Sequence, residues 1–99
     1  MARLFHLSLL ALLATPALAQ NSAAHCAGLG ATAAKVMEAR QLGIAQAELL
    51  ALIHDGAATQ TLTWIVEQAY EEPFYGAEWQ QQAAVAEFAR AVEAACLAG

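Results

Sequence analysis

The first twenty residues have the pattern of a cleaved leader peptide, which limits the length of chain that folds. Arg3 supplies a positive charge, residues 4–13 form an apolar run, and Ala17–Ala19 gives the small-x-small pattern at which leader peptides are cleaved. We therefore predict a cleaved signal peptide over 1–19 and a single exported domain over 20–99. A remainder of about 80 residues has room for one hydrophobic core only. Export predicts an oxidising compartment, which we take to be the bacterial periplasm.

The charge balance excludes several partner classes. The chain has four basic and nine acidic residues and a net charge of −5. Loss of Arg3 with the leader leaves three basic residues against nine acidic ones, a net charge of −6. Nucleic acids and anionic lipid surfaces repel such a protein. We therefore expect no nucleic-acid partner and no stable membrane association after cleavage.

The two cysteines lie near opposite ends of the exported part, at Cys26 and Cys96. Two cysteines allow only one intramolecular pair. Closing a loop of about 70 residues contributes about 4 kcal/mol in the chain-entropy model, which is a large share of the stability of a small domain. We predict a structural disulfide. The alternative, a reactive thiol of a redox sensor, is less favoured because the sequence has neither a C-x-x-C motif nor a basic cluster beside either cysteine.

The exported part predicts an all-α fold. It is rich in alanine and poor in strand-like alternation, and apolar residues recur at helical spacing. Helix starts and stops divide it into about four helices, over residues 22–42, 46–53, 59–71 and 77–97. We predict a small antiparallel bundle in which the disulfide joins the first and last helices.

Some details of this bundle are expectations that the structure can correct. Gly28 and Gly30 indicate either an irregular helix start or the close approach of another helix. In the second helix, Leu52 is expected to point inward with its apolar neighbours. In the last helix, Ala84, Ala91 and Ala95 are small enough for a neighbouring backbone to approach.

Aromatic residues cluster where the third helix ends. Of the six that remain after cleavage, five fall within sixteen positions, and carboxylates surround them. Tyrosine and tryptophan favour interfaces because they bury a large area and keep a polar group. The candidate binding surface comprises Tyr70, Glu71, Phe74, Tyr75, Glu78 and Trp79. Two other interpretations of these residues stay open. The rings could fill a packed corner formed at Pro73, and the carboxylates could be an ordinary solvated acidic face.

No pattern in the chain indicates catalysis. It lacks the haem motif C-x-x-C-H, a G-x-S-x-G nucleophile motif and a phosphate-binding loop. The possible metal donors, His25, Met37, Glu38 and His54, have no site-like spacing. We predict a protein that is not an enzyme and that uses no cofactor and no metal.

Several short motifs resemble small exported helical proteins of proteobacteria with one disulfide. They are Ala69–Pro73, Glu87-Phe88 before Cys96, and Glu38–Gly43 downstream of Cys26. The resemblance implies the fold and the periplasmic address, and it assigns no functional residue. In size, compartment and single disulfide the chain is also similar to acid-stress periplasmic chaperones and to the immunity proteins that block secreted cell-wall amidases.

These observations favour a non-catalytic periplasmic domain that binds another protein. Two mechanisms compete. A chaperone exposes apolar surface when acid neutralises its carboxylates, whereas an inhibitor or immunity protein holds a rigid surface ready at neutral pH. The alternative of a different class is a carrier of a small molecule or metal.

Overall fold

The computed structural model describes residues 22–54 and 56–99. The predicted signal peptide, residues 1–19, lies outside the described residues. Within them the chain is helical and has no strands, which confirms the predicted fold class. The four helices are α1 (Ala23–Gln41), α2 (Gln46–Leu50), α3 (Thr59–Glu71) and α4 (Glu78–Ala98).

Local signals set the ends of α1 and α3. The Ser22 hydroxyl accepts a hydrogen bond from the backbone N–H of His25 at 3.2 Å, which caps α1. Gly43 has a φ of 85°, a conformation that glycine adopts without steric cost, and it follows the end of α1. At the end of α3, Glu72 is already extended, with φ −75° and ψ 146°, as expected of a residue before Pro73.

The segment around α2 is less regular than the sequence predicts. Ala45 occupies the N-cap position and its side chain makes no capping hydrogen bond. The helix ends at Leu50, and the chain then passes through turns. Leu52 is 71% exposed, so the prediction that it points inward was wrong. The helical spacing on which that prediction rested does not continue past Leu50.

Helix α1 lies at the centre of the bundle, with α4 packed most extensively against it and α3 second. Two layers of buried residues form the core: Ala33, Ile65 and Val92, then Met37, Ala69 and Ala84. The order of these residues shows that α4 runs antiparallel to α1 and that α3 runs in the same direction as α1. The connection between α1 and α3 brings the chain back to the start of the bundle, so that α3 runs parallel to α1.

A disulfide between Cys26 and Cys96 joins the first and last helices, as predicted, with a Cα–Cα distance of 5.5 Å. One turn further along α1, Gly30 lies against α4. A Cβ at this position would meet the carbonyl oxygen of Ala89 at 3.1 Å and the Glu93 Cβ at 3.3 Å. Gly30 therefore permits the close approach that the sequence suggested.

The other small residues play no part in this contact. Gly28 has nothing within 4 Å of where a Cβ would be, and α1 is regular from Ala23. Of the three alanines that the sequence indicated on α4, Ala84 is buried in the core layer with Met37. Ala91 and Ala95 are exposed, and Gly30 lies against Ala89 instead. No helix in the described part of the chain is both long and apolar enough to cross a membrane.

Candidate functional site

The candidate surface forms where α3 ends and the chain turns back into α4. We call residues 70–79 the aromatic turn. Residues 73–77 are not helical, because Pro73 requires extended backbone before it and cannot donate a helical hydrogen bond. The turn therefore depends on other elements to hold its backbone polar groups.

The C-terminus of α1 holds the aromatic turn through Gln41. This side chain is 4% exposed, and its Nε2 donates to the carbonyl oxygen of Pro73 at 2.9 Å. Its Oε1 accepts from the backbone N–H of Tyr75 at 3.0 Å. From the other side, the Nε2 of Gln81 donates to the carbonyl oxygen of Tyr75 at 2.6 Å. The two amide side chains together pair both backbone polar groups of Tyr75.

Arg40 adds a second attachment. Its Nε and Nη2 both donate to the carbonyl oxygen of Glu72, each at 3.2 Å. The guanidinium carbon lies 5.2 Å from the centre of the Tyr70 ring, within the range of a cation–π interaction. The hydroxyl of Tyr70 donates to the carbonyl oxygen of Ile44, which ties the connection after α1 to α3.

The two tyrosines of the turn face the core. Both pack against the buried layer formed by Met37, Ala69 and Ala84. Burial raises the pKa of the Tyr70 hydroxyl, and the nearby positive charge of Arg40 offsets part of this rise. For Tyr70 and Tyr75, the structure therefore agrees with the interpretation that the aromatic rings fill a packed corner at Pro73.

The other two rings face outward. Phe74 is 54% exposed and Trp79 is 71% exposed, and the carboxylates of Glu71 and Glu78 are exposed as well. The six candidate residues thus divide into two sets, because the two tyrosines support the turn while the remaining four are presented to solvent. A tryptophan this exposed, in the first turn of α4 and next to a turn held by side-chain hydrogen bonds, is unusual for a side chain that serves only packing.

A groove of about 380 Å³ lies between the turn and one face of α4. We call it the turn groove. Aromatic, acidic and alanine side chains line it; the lining residues are Glu72, Tyr75, Trp79, Gln80, Ala83, Ala84, Glu87, Phe88 and Ala91. A second groove, near the disulfide, is lined in part by Trp64, and a third by the exposed Leu42.

Sequence reasoning missed Gln41, the residue that holds the site together. The signal for it lay in the helical spacing of α1. Its buried positions are Cys26, Gly30, Ala33 and Met37, and one further turn of the same seam reaches Gln41. A polar side chain in an apolar seam needs hydrogen-bond partners, and it finds them in the turn.

The aromatic turn presents two exposed rings and two exposed carboxylates to solvent. Among the described residues, no group of three or more His, Cys, Asp or Glu side chains is placed to hold a metal ion. No protein-family model matches the chain, and comparisons with curated proteins and with solved structures likewise find no match. The functional argument therefore depends on the geometry of the aromatic turn.

Proposed function

We propose that this protein is a periplasmic, non-catalytic binding domain that engages another protein through the aromatic turn and works without a cofactor. The observation that carries the proposal is Trp79, which is 71% exposed at the end of a turn whose backbone is held by part-buried hydrogen bonds from Gln41. Protein interfaces are enriched in tryptophan because burial of its large ring contributes strongly to binding. Phe74 and the surrounding carboxylates extend the same exposed surface.

The attachments of the turn favour a surface that is ready at neutral pH. Gln41 and Gln81 hold the turn through amide side chains, which do not titrate. Acid therefore leaves these two attachments of the turn unchanged. This supports an inhibitor or immunity type of mechanism over a chaperone whose apolar surface appears on acidification.

The turn groove suits a protein surface better than a carried small molecule. Sites for small ligands bury most of the ligand, typically about 70–90% of its surface. Trp79 lines this groove and is 71% exposed, so the groove leaves most of its ring in solvent. A partner that covers the ring from outside would bury it fully.

Affinity capture from the periplasm of the source cell tests the proposal. The tagged exported protein and two variants, Trp79→Ala and Trp64→Ala, are compared as baits. Trp64 is the matched control because it is also partly exposed and lies beside the second groove. We expect a periplasmic protein that the wild type and Trp64→Ala capture and that Trp79→Ala loses.

Thermal melts accompany the capture experiment. Replacement of an exposed side chain changes stability by about 0.5 kcal/mol or less, so Trp79→Ala should melt within a few degrees of the wild type. Equal capture by all three folded baits, or no specific capture by any of them, refutes the proposed function.

A further inference from the structure

We propose that the turn groove receives an arginine-bearing amphipathic helix of the partner protein; this inference rests on the proposed function and specifies its partner. The groove combines three aromatic rings with two carboxylates, from Glu72 and Glu87. Arginine is the side chain that uses both features, because its planar guanidinium stacks on aromatic faces and pairs with carboxylates.

The charge of the groove is complementary to such a partner. None of the nine residues that line it is basic, and the two that are charged are both acidic. Arg40 is the cation attached to the rim, and its guanidinium donates to the backbone oxygen of Glu72 and lies over the Tyr70 ring. The chain as a whole carries a net charge of −5, so long-range attraction also favours a basic partner.

The alanines of the turn groove leave room for a helix. Both α3 and α4 pack on α1, and their buried side chains meet in its core layers. Beside this core, the turn groove follows one face of α4 from Trp79 to Ala91. Ala83, Ala84 and Ala91 line it, and their small side chains allow a partner backbone to come close.

The aromatic residues are distributed as an arginine site requires. Phe88 and Tyr75 are half-buried and held by the core, so their positions are fixed. Trp79 is free to cover an incoming side chain from the solvent side. A guanidinium placed between these rings keeps its edge available to the Glu87 carboxylate, and both contacts gain strength as the partner excludes water.

Calorimetric titration with designed peptides tests the inference. The protein is the exported chain, purified with its disulfide intact. The first peptide is an amphipathic helix of about five turns with arginines flanking its apolar face. The second replaces every arginine by citrulline, which has the same shape and no charge, and the third replaces every arginine by glutamate. Variants Trp79→Ala and Glu87→Gln probe the groove, and Glu48→Gln removes the same charge from α2, away from it.

We expect the arginine peptide to bind at least about tenfold more tightly than the citrulline peptide, and the glutamate peptide not to bind. Trp79→Ala and Glu87→Gln should each weaken binding about five- to tenfold, while Glu48→Gln stays within about twofold of wild type. In a Trp64→Phe background Trp79 is the only tryptophan, so its fluorescence should change on binding of the arginine peptide.

Two results overturn the inference. The first is that the arginine and citrulline peptides bind equally, or that neither binds saturably; either outcome refutes a cationic partner. Trp79-dependent capture of a periplasmic protein would still support the proposed function in that case. The other is a dimer of this chain, seen by sedimentation and abolished by Trp79→Ala, which makes a second copy the occupant. Failure of the proposed function is distinguishable, because it shows as capture that does not depend on Trp79.

Discussion

Replacement of Gln41 by alanine should destabilise the domain strongly. The substitution removes both hydrogen bonds to the turn, which Gln41 donates to the carbonyl oxygen of Pro73 and accepts from the N–H of Tyr75, and a weak one to the Met37 sulfur at 3.6 Å. Each contributes about 1 kcal/mol net. The side chain is also 4% exposed, so its loss leaves a small cavity in contact with Met37. The sum is about 2–4 kcal/mol, which corresponds to a fall in melting temperature of about 10–25 °C for a domain of this size.

Thermal melts and amide hydrogen exchange measure this effect. Gln82→Ala is the matched control, because Gln82 is exposed and only donates to the Glu78 carboxylate at 3.3 Å; its melting temperature should barely change. In the wild type the Tyr75 amide should exchange slowly, and in Gln41→Ala it should exchange at a rate close to that of an unprotected amide. A Gln41→Ala protein that melts within about 3 °C of wild type and keeps Tyr75 protected would show that the turn is held by other contacts.

Three further predictions follow from the packing. Gly28→Ala should raise stability by about 0.5–1 kcal/mol through helix propensity, whereas Gly30→Ala should lower it by about 1 kcal/mol because its Cβ would lie 3.1 Å from the Ala89 carbonyl; equal melting temperatures would contradict the close approach. Cys96→Ala should cost about 2–5 kcal/mol in denaturant titrations and match the reduced wild type, and a variant as stable as the oxidised protein would refute a structural role for the disulfide. Burial raises the pKa of Tyr70, so its protonated form stabilises the fold below the ordinary tyrosine pKa of about 10 and this contribution is lost as pH rises through the raised value. Tyr70→Phe should lose about 1 kcal/mol at neutral pH and show a shallower alkaline decline than wild type, and identical alkaline slopes would contradict this reasoning.

The sequence predicted the parts of the fold that local chemistry controls. Ser22 caps α1, Gly43 follows its end, and Pro73 ends α3, because each of these residues acts through its own backbone or its nearest neighbours. The prediction that Leu52 points inward was wrong because hydrophobic periodicity alone does not show where a short helix ends. Gln41 was missed because its role depends on a segment more than thirty residues away, which local patterns do not place.

A regular sequence separation between contacting residues explains how the fold positions Trp79. Residues of α1 meet residues of α3, and of the segment directly after it, at a constant separation of 32 in sequence. Met37 shares a core layer with Ala69, Arg40 donates to Glu72 and Gln41 donates to Pro73. A single parallel register between the two helices therefore sets both the core and the turn. Slippage by one residue would take Gln41 away from the Pro73 carbonyl and rotate the apolar seam of α3 by about 100°. Because both costs act against the same movement, the helix register and the hydrogen bonds of Gln41 together hold the turn that presents the exposed tryptophan.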